Sequence, residues 1–125
     1  MKIIFVLSVL ITLILSNSDC SKKEDNAIKY KGKLEIKAIC MNYTIRLLEV
    51  NMDTSKISTN WIDESTAKQY VNVFGLGSPC NFPANLKEGD EFYFIIDTKT
   101  SQDCAVCLAY YPTPPRKLSI KVTEK

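Results

Sequence analysis

Hydrophobic residues follow two different patterns in this chain, and each predicts a different kind of segment. Residues 3–15 form an unbroken run in which nothing is more polar than Ser or Thr. Further along, apolar side chains recur on even positions, at Tyr30, Leu34, Ile36, Ala38 and Cys40. A period of two is expected of a half-buried β-strand, so the body of the protein is predicted to begin as a strand.

The alternation changes phase after Cys40 and Met41. Tyr43, Ile45 and Leu47 now share one face, one residue out of step with the preceding strand. Because such a slip moves every following side chain to the opposite face, we expect a bulge or a tight corner at Cys40 and Met41.

Turn residues divide the rest of the body into short segments. Residues 51–68 are polar and are expected to form a loop that carries Trp61, the only tryptophan. Residues 63–70 fit either a single helical turn or a hairpin loop. The prolines of residues 111–116 exclude that segment from any central strand. Further strands are predicted where branched and aromatic residues lie between turn signals, at residues 71–77, 91–97 and 118–123.

The body, residues 28–125, is expected to be a single all-β domain. Five or six short strands with turns between them predict a small barrel or a sandwich, held by disulfides. The phrase FPANLKEGDEFYF, residues 82–94, is similar to a strand entry in OB-like barrels, including those of small lipoproteins. This resemblance implies an OB-like barrel for the second half of the body.

Residues 1–19 have the features of a signal peptide. Lys2 precedes the apolar run, which is shorter than the roughly 20 residues needed to span a bilayer. A buried core helix would show polar residues at helical spacing, and residues 3–15 show none. Two processing routes stay open: cleavage after Ser18, or lipidation of Cys20 as the first mature residue.

The stretch CSKKEDN, residues 20–26, resembles the charged tether of surface lipoproteins of Bacteroidota. The resemblance implies that a palmitate-carrying Cys20 begins a tether, residues 20–27, and anchors the protein in the cell envelope, at the outer membrane. A secreted or periplasmic protein is the alternative. Cysteine number favours the lipid, because five cysteines leave one thiol unpaired, whereas modifying Cys20 leaves an even set.

The remaining cysteines, Cys40, Cys80, Cys104 and Cys107, predict two structural disulfides. We favour cross-links from Cys40 and Cys80 to the CAVC pair, because closing longer loops removes more entropy from the unfolded chain. A bridge within CAVC, together with a Cys40–Cys80 bridge, is the rival pairing. The CAVC motif also fits a thiol-disulfide redox site, but prolines follow where a thioredoxin-type helix would lie. Zinc binding is a further alternative, disfavoured because Cys40 and Cys80 are isolated.

Composition narrows the function classes. The chain has no histidine, which removes the commonest general base, the usual metal ligand and every nucleophile arrangement that depends on histidine. Its 16 basic and 14 acidic residues are nearly balanced, so charge gives no basis for nucleic-acid binding. We therefore expect a protein that is not an enzyme and that carries neither cofactor nor metal.

Three aromatic residues are candidates for a ligand surface. Tyr110 and Tyr111 precede a proline-rich segment that is expected, preferably, to be an exposed loop packed on a barrel end, with a surface for a peptide or glycan partner as the alternative. Trp61 is expected to stack on a ligand or, preferably, to plug the barrel mouth. Four acidic residues are expected to be solvated turn residues: Asp63, Glu64, Asp90 and Glu91.

Together these features predict a cell-envelope lipoprotein that acts as a membrane-anchored binding or structural module. The membrane is its first partner, through the lipid, and a protein or glycan of unknown identity is the second. A thiol-disulfide redox protein that uses Cys104 and Cys107, and a secreted soluble binder or inhibitor, are the alternatives.

Overall fold

The computed structural model describes residues 27–125, which form one seven-stranded sheet. The all-β prediction is confirmed. The expected signal peptide, residues 1–19, and the expected lipid site at Cys20 lie outside the described residues, as does the tether before Ala27. Within the described part of the chain, no helix is long and apolar enough to cross a membrane.

Among residues 27–125, the regular structure consists of seven strands and three short 3-10 helices. The strands are β1 Tyr30–Lys37, β2 Tyr43–Leu47, β3 Ser58–Ile62, β4 Gln69–Leu76, β5 Glu91–Ile96, β6 Lys117–Leu118 and β7 Ile120–Thr123. The 3-10 helices are Ile39–Met41, Thr54–Lys56 and Pro79–Asn81.

The sheet is curled but not closed. Its strand order is β3-β4-β2-β1-β5-β7, with antiparallel neighbours throughout. The predicted final strand is split at Ser119: β6 pairs in parallel with β4, and β7 pairs with β5. A single residue therefore separates two segments whose partners lie far apart in the strand order, and the sheet must curve to satisfy both.

The core lies between the central strands. Leu34 of β1, Ile45 of β2, Phe74 of β4 and Phe94 of β5 are each completely buried. Burial of one such side chain contributes about 1.5–3 kcal/mol. Gly32 lies beneath the ring of Phe94, where an added methyl group would come within 3.0 Å of the ring. These contacts fix the relative positions of β1, β2, β4 and β5, around which the other elements pack.

The expected corner after β1 is present. Cys40 and Met41 both adopt the left-handed backbone conformation, with φ of 57° and 59°. This conformation is uncommon for residues other than glycine and is sterically costly, so two in succession need support from their surroundings. The corner reverses the chain from β1 into β2 and produces the change of phase seen in the sequence.

Strand β3 corrects the prediction of a polar loop over residues 51–68. It pairs with β4 from Ser58–Val73 to Ile62–Gln69, so residues 63–68 form the hairpin loop. This loop contains a single helical turn, in which the N–H of Ala67 donates to the carbonyl of Asp63 at 2.8 Å. As the outermost strand of the order, β3 has exposed residues such as Thr59 and Asn60 in place of apolar alternation. Backbone pairing specifies this strand, and the hydrophobic pattern therefore missed it.

Candidate functional site

Two disulfides hold the long connection between β5 and β6, residues 97–116, against the rest of the molecule. We call this segment the stapled loop. Cys80 is bonded to Cys104, and Cys40 at the corner is bonded to Cys107. The favoured pairing, in which each CAVC cysteine reaches a distant partner, is confirmed. The bridge within CAVC that a thioredoxin-type site would use is not formed, and no helix follows Cys107.

Hydrogen bonds hold the stapled loop on both sides of the two disulfides. The side-chain oxygen of Gln102 accepts from the backbone N–H of Cys80 at 3.0 Å. The side-chain amide of Asn42 donates to the carbonyl of Ala109 at 2.9 Å. Connections of more than about 12–15 residues without regular structure are uncommon and usually functional. This one is long but fixed at several points, as a preformed binding surface requires.

An apolar ridge runs along the outer side of the stapled loop. It consists of Val106, Leu108 and Tyr110, which are exposed to 37%, 99% and 78%. Residues 105–114 make no turn or bend, and the three side chains lie two residues apart along this segment. Neighbouring large apolar side chains on a surface mark sites of interaction, whereas isolated ones need no explanation.

An open groove of about 390 Å³ lies beside this ridge. Its walls come from the corner at Cys40–Asn42, from the end of β4 at Leu76, from Pro79 and Lys117, and from the stapled loop itself. The groove and the ridge therefore belong to one surface, and the Cys40–Cys107 disulfide lies in its wall.

The two tyrosines of the predicted ligand surface have different roles. Tyr110 is exposed and belongs to the ridge. Tyr111 is half-buried, and its hydroxyl donates to Oδ2 of Asp63 at 3.1 Å. Burial raises the pKa of Tyr111 above the ordinary value; a contact with Ser65 opposes this, and the bond to Asp63 reinforces it. The hydroxyl is thus a proton donor at neutral pH and ties the loop to the β3–β4 hairpin.

Asp63 is not the solvated turn residue that the sequence predicted. It is only 1% exposed, and besides the bond from Tyr111 its Oδ1 accepts from the backbone N–H of Ser65 at 2.8 Å. Its own backbone N–H donates to the carbonyl of Lys68 at 2.9 Å. One buried carboxylate therefore organises the hairpin loop and holds the end of the stapled loop. By contrast, Glu64, Asp90 and Glu91 are exposed, as expected, although Glu91 is the first residue of β5 and not a turn residue.

Trp61 lies on strand β3 and neither occupies a loop nor plugs a barrel mouth. Its ring is half-exposed and packs against Tyr70 on β4, with centroids 5.8 Å apart. The Lys68 ammonium lies 4.9 Å from the centroid of the Tyr70 ring, within reach of a cation–π contact. The structure thus places Trp61 on the hairpin and Tyr110 on the ridge. The bond between Tyr111 and Asp63 links the hairpin loop to the stapled loop.

Asn42 is a residue whose role no sequence pattern indicated. Its side-chain amide donates to the carbonyls of Ile39 and Ala109, at 2.8 and 2.9 Å, and so closes the corner and fixes the stapled loop together. An asparagine after a turn is common in any sequence. Only the approach of Ala109, far away in the chain, gives this one its second partner.

We expect Asn42→Asp to lower the free energy of unfolding by about 1–2 kcal/mol, because a carboxylate would face two carbonyl oxygens in place of a shared donor. Urea denaturation measures the change. Amide hydrogen exchange at residues 105–110 should accelerate in parallel. Asn85→Asp at an exposed position is the matched control and should leave both quantities unchanged. Equal effects of the two substitutions would contradict the role assigned to Asn42.

Comparison with known proteins adds no relative. No family model, curated protein or solved structure matches this chain. The function must therefore be argued from the site itself.

The chemistry available at this site favours binding. The four cysteines of the body are all oxidised in the two disulfides, so none of them offers a thiolate for catalysis or for zinc. Among residues 27–125, no cluster of three or more His, Cys, Asp or Glu side chains is arranged to hold a metal ion. The groove and the ridge instead present apolar surface on a braced backbone.

Proposed function

We propose that this protein is a cell-envelope lipoprotein in which a lipid on Cys20 anchors a β-body that binds a partner through the stapled loop. The observation that carries the proposal is the pair of disulfides. They indicate an oxidising environment outside the cytoplasm, where such bonds persist. Because they use Cys40, Cys80, Cys104 and Cys107, neither disulfide needs Cys20, which remains available for acylation.

The direction of β1 supports an anchored binding module. The described chain enters β1 at Tyr30, a few residues after the tether, and leaves it at Lys37, just before the corner that carries Cys40. An eight-residue strand at about 3.3 Å per residue is roughly 26 Å long. The attachment of the tether and the Cys40–Cys107 disulfide therefore lie at opposite ends of this strand, which suits display of the ridge next to Cys107 away from the membrane.

Charge near the tether is compatible with a membrane surface. Ala27 borders a second shallow groove together with Lys99 and Lys121, and Asp97 is the acidic residue on the same rim. Exposed lysines next to a lipid anchor add electrostatic attraction to anionic headgroups. The resemblance of the leader to lipoproteins of Bacteroidota supports the outer membrane as the destination.

Cys20→Ser tests the anchor. In a Gram-negative host that processes lipoproteins, the unaltered chain should fractionate with membranes, and intact mass should show Cys20 as the first residue with acyl chains attached. The substituted chain should lose the acyl mass and leave the membrane fraction, since several acyl chains are what give stable anchoring. Reduction should add the mass of four hydrogens to either form. An unaltered chain that begins at Asp19 without acyl mass would instead identify a secreted protein.

A further inference from the structure

The peptide bond between Leu108 and Ala109 is held on both sides by the folded body. On its amino side, Cys107 is covalently bonded to Cys40. On its other side, the carbonyl of Ala109 accepts from the amide of Asn42. Leu108 itself, between these two supports, is 99% exposed. A fully exposed leucine on a braced backbone is an unusual arrangement, because that side chain gains nothing from folding.

Such an arrangement can present alternate side chains as a bound substrate does. Clefts that bind extended polypeptide recognise its backbone together with alternate side chains in separate pockets. Val106, Leu108 and Tyr110 supply such alternate side chains, and residues 105–114 make no turn. Because the disulfides hold the backbone in this form beforehand, little conformational entropy is lost on binding.

We propose that the stapled loop is an inhibitory loop for a serine endopeptidase with an apolar primary pocket, into which Leu108 inserts. This inference rests on the proposed function, a binding module that uses the stapled loop, and it names the class of partner. A hydrophobic slot for one side chain next to the nucleophile is the feature that distinguishes chymotrypsin-like specificity. Leucine at the most exposed point of the ridge matches such a slot.

The same supports explain why the loop would inhibit the enzyme and escape rapid turnover. When the enzyme's serine oxygen bonds to the Leu108 carbonyl carbon, the bond to the Ala109 nitrogen breaks, and the enzyme's histidine transfers the serine proton to that nitrogen. In an ordinary substrate the new amine diffuses away and water hydrolyses the ester. Here the Ala109 amine stays in place through Asn42 and through the bond between Tyr111 and Asp63. It can attack the ester, re-form the peptide bond and return the proton to the serine.

The test uses the full mature chain, purified in detergent, and chymotrypsin with a chromogenic substrate. We expect reversible inhibition by the unaltered protein and about 30-fold weaker inhibition by Leu108→Ser, the factor expected when one leucine side chain is no longer buried. Leu108→Lys should lose inhibition of chymotrypsin and gain inhibition of trypsin, whose pocket carries an aspartate. Because Leu108 is fully exposed, both substitutions should leave the urea midpoint unchanged.

Val50→Ser, at an exposed apolar position outside the stapled loop, is the matched control and should inhibit like the unaltered protein. Absence of inhibition, rapid cleavage after Leu108, or equal inhibition by Leu108→Lys would each overturn the inference. Intact mass of the same sample reports separately on the anchor. If the protein is acylated but does not inhibit, the inhibitory loop is refuted and the proposed lipoprotein is not. If the protein inhibits but lacks the acyl mass, the proposed lipoprotein is refuted and the inhibitory loop is not.

Discussion

Replacing Cys40 and Cys107 together with alanine is expected to lower the free energy of unfolding by about 4 kcal/mol, the largest effect of any change considered for this protein. The bond joins residues 67 apart in sequence, whereas Cys80–Cys104 joins residues 24 apart. Since the entropy removed from the unfolded chain grows with the closed loop, removing the second pair should cost about 3 kcal/mol. Urea denaturation of the two double variants measures both values.

Paired replacement is the necessary design, because a single substitution would leave an odd thiol that can exchange with the remaining disulfide. The two double variants serve as controls for each other, since each keeps one of the two disulfides. Hydrogen exchange should separate them further. Loss of Cys40–Cys107 should loosen residues 105–110, and loss of Cys80–Cys104 should loosen the start of the loop. A larger cost for the shorter loop, or no cost for either, would refute the assignment of stability to loop closure.

Asp63→Ala is expected to lower the free energy of unfolding by about 3 kcal/mol. The substitution removes a carboxylate that accepts from the backbone of Ser65 and from Tyr111, and hydrogen bonds to charged groups contribute about 1.5–3 kcal/mol each. It also leaves the backbone N–H of Ser65 without its partner. Urea denaturation gives the free energy, and hydrogen exchange at Ser65 reports on the hairpin loop directly.

A double-mutant cycle with Tyr111→Phe tests whether Asp63 couples the hairpin to the stapled loop. Alone, Tyr111→Phe should cost about 1 kcal/mol, and in the Asp63→Ala background it should cost almost nothing, because the bond is already lost. Asp63→Asn keeps the size and can still accept from Ser65, so it should lose less than half as much as alanine. Glu64→Ala, at an exposed neighbour, should be neutral. Strictly additive effects of the two positions would show that the hairpin and the loop are independent.

Sequence reasoning succeeded where local pattern and burial agree. The alternation from Tyr30 places one face of β1 in the core, and the change of phase correctly located the corner at Cys40 and Met41. Sequence reasoning failed at β3, because an edge strand that is stabilised by backbone pairing carries no apolar alternation. The final strand was predicted as one element, and only the competing partners β4 and β5 divide it at Ser119.

At the candidate site, too, the sequence predicted one part of the arrangement and the fold decided the other. The even number of cysteines in the body predicted two disulfides. The entropy that a long closed loop removes from the unfolded chain favoured cross-links from CAVC to distant cysteines. The two pairings that follow from this preference differ only in which CAVC cysteine meets Cys40, and the fold selects Cys107. Asp63 looked like any turn aspartate, since its hydrogen-bond partner Tyr111 lies 48 residues further along the chain.

The sequence by itself determined what depends on neighbours in the chain: the strands with alternating burial, the corner, the even set of body cysteines and the absence of histidine chemistry. The tertiary structure alone decided what depends on residues far apart in sequence. It brought Asn42 to Ala109 and Tyr111 to Asp63, and left Leu108 exposed between them. The physical reason is that hydrophobic periodicity reports which face of a segment is buried, whereas a binding surface depends on which segments meet.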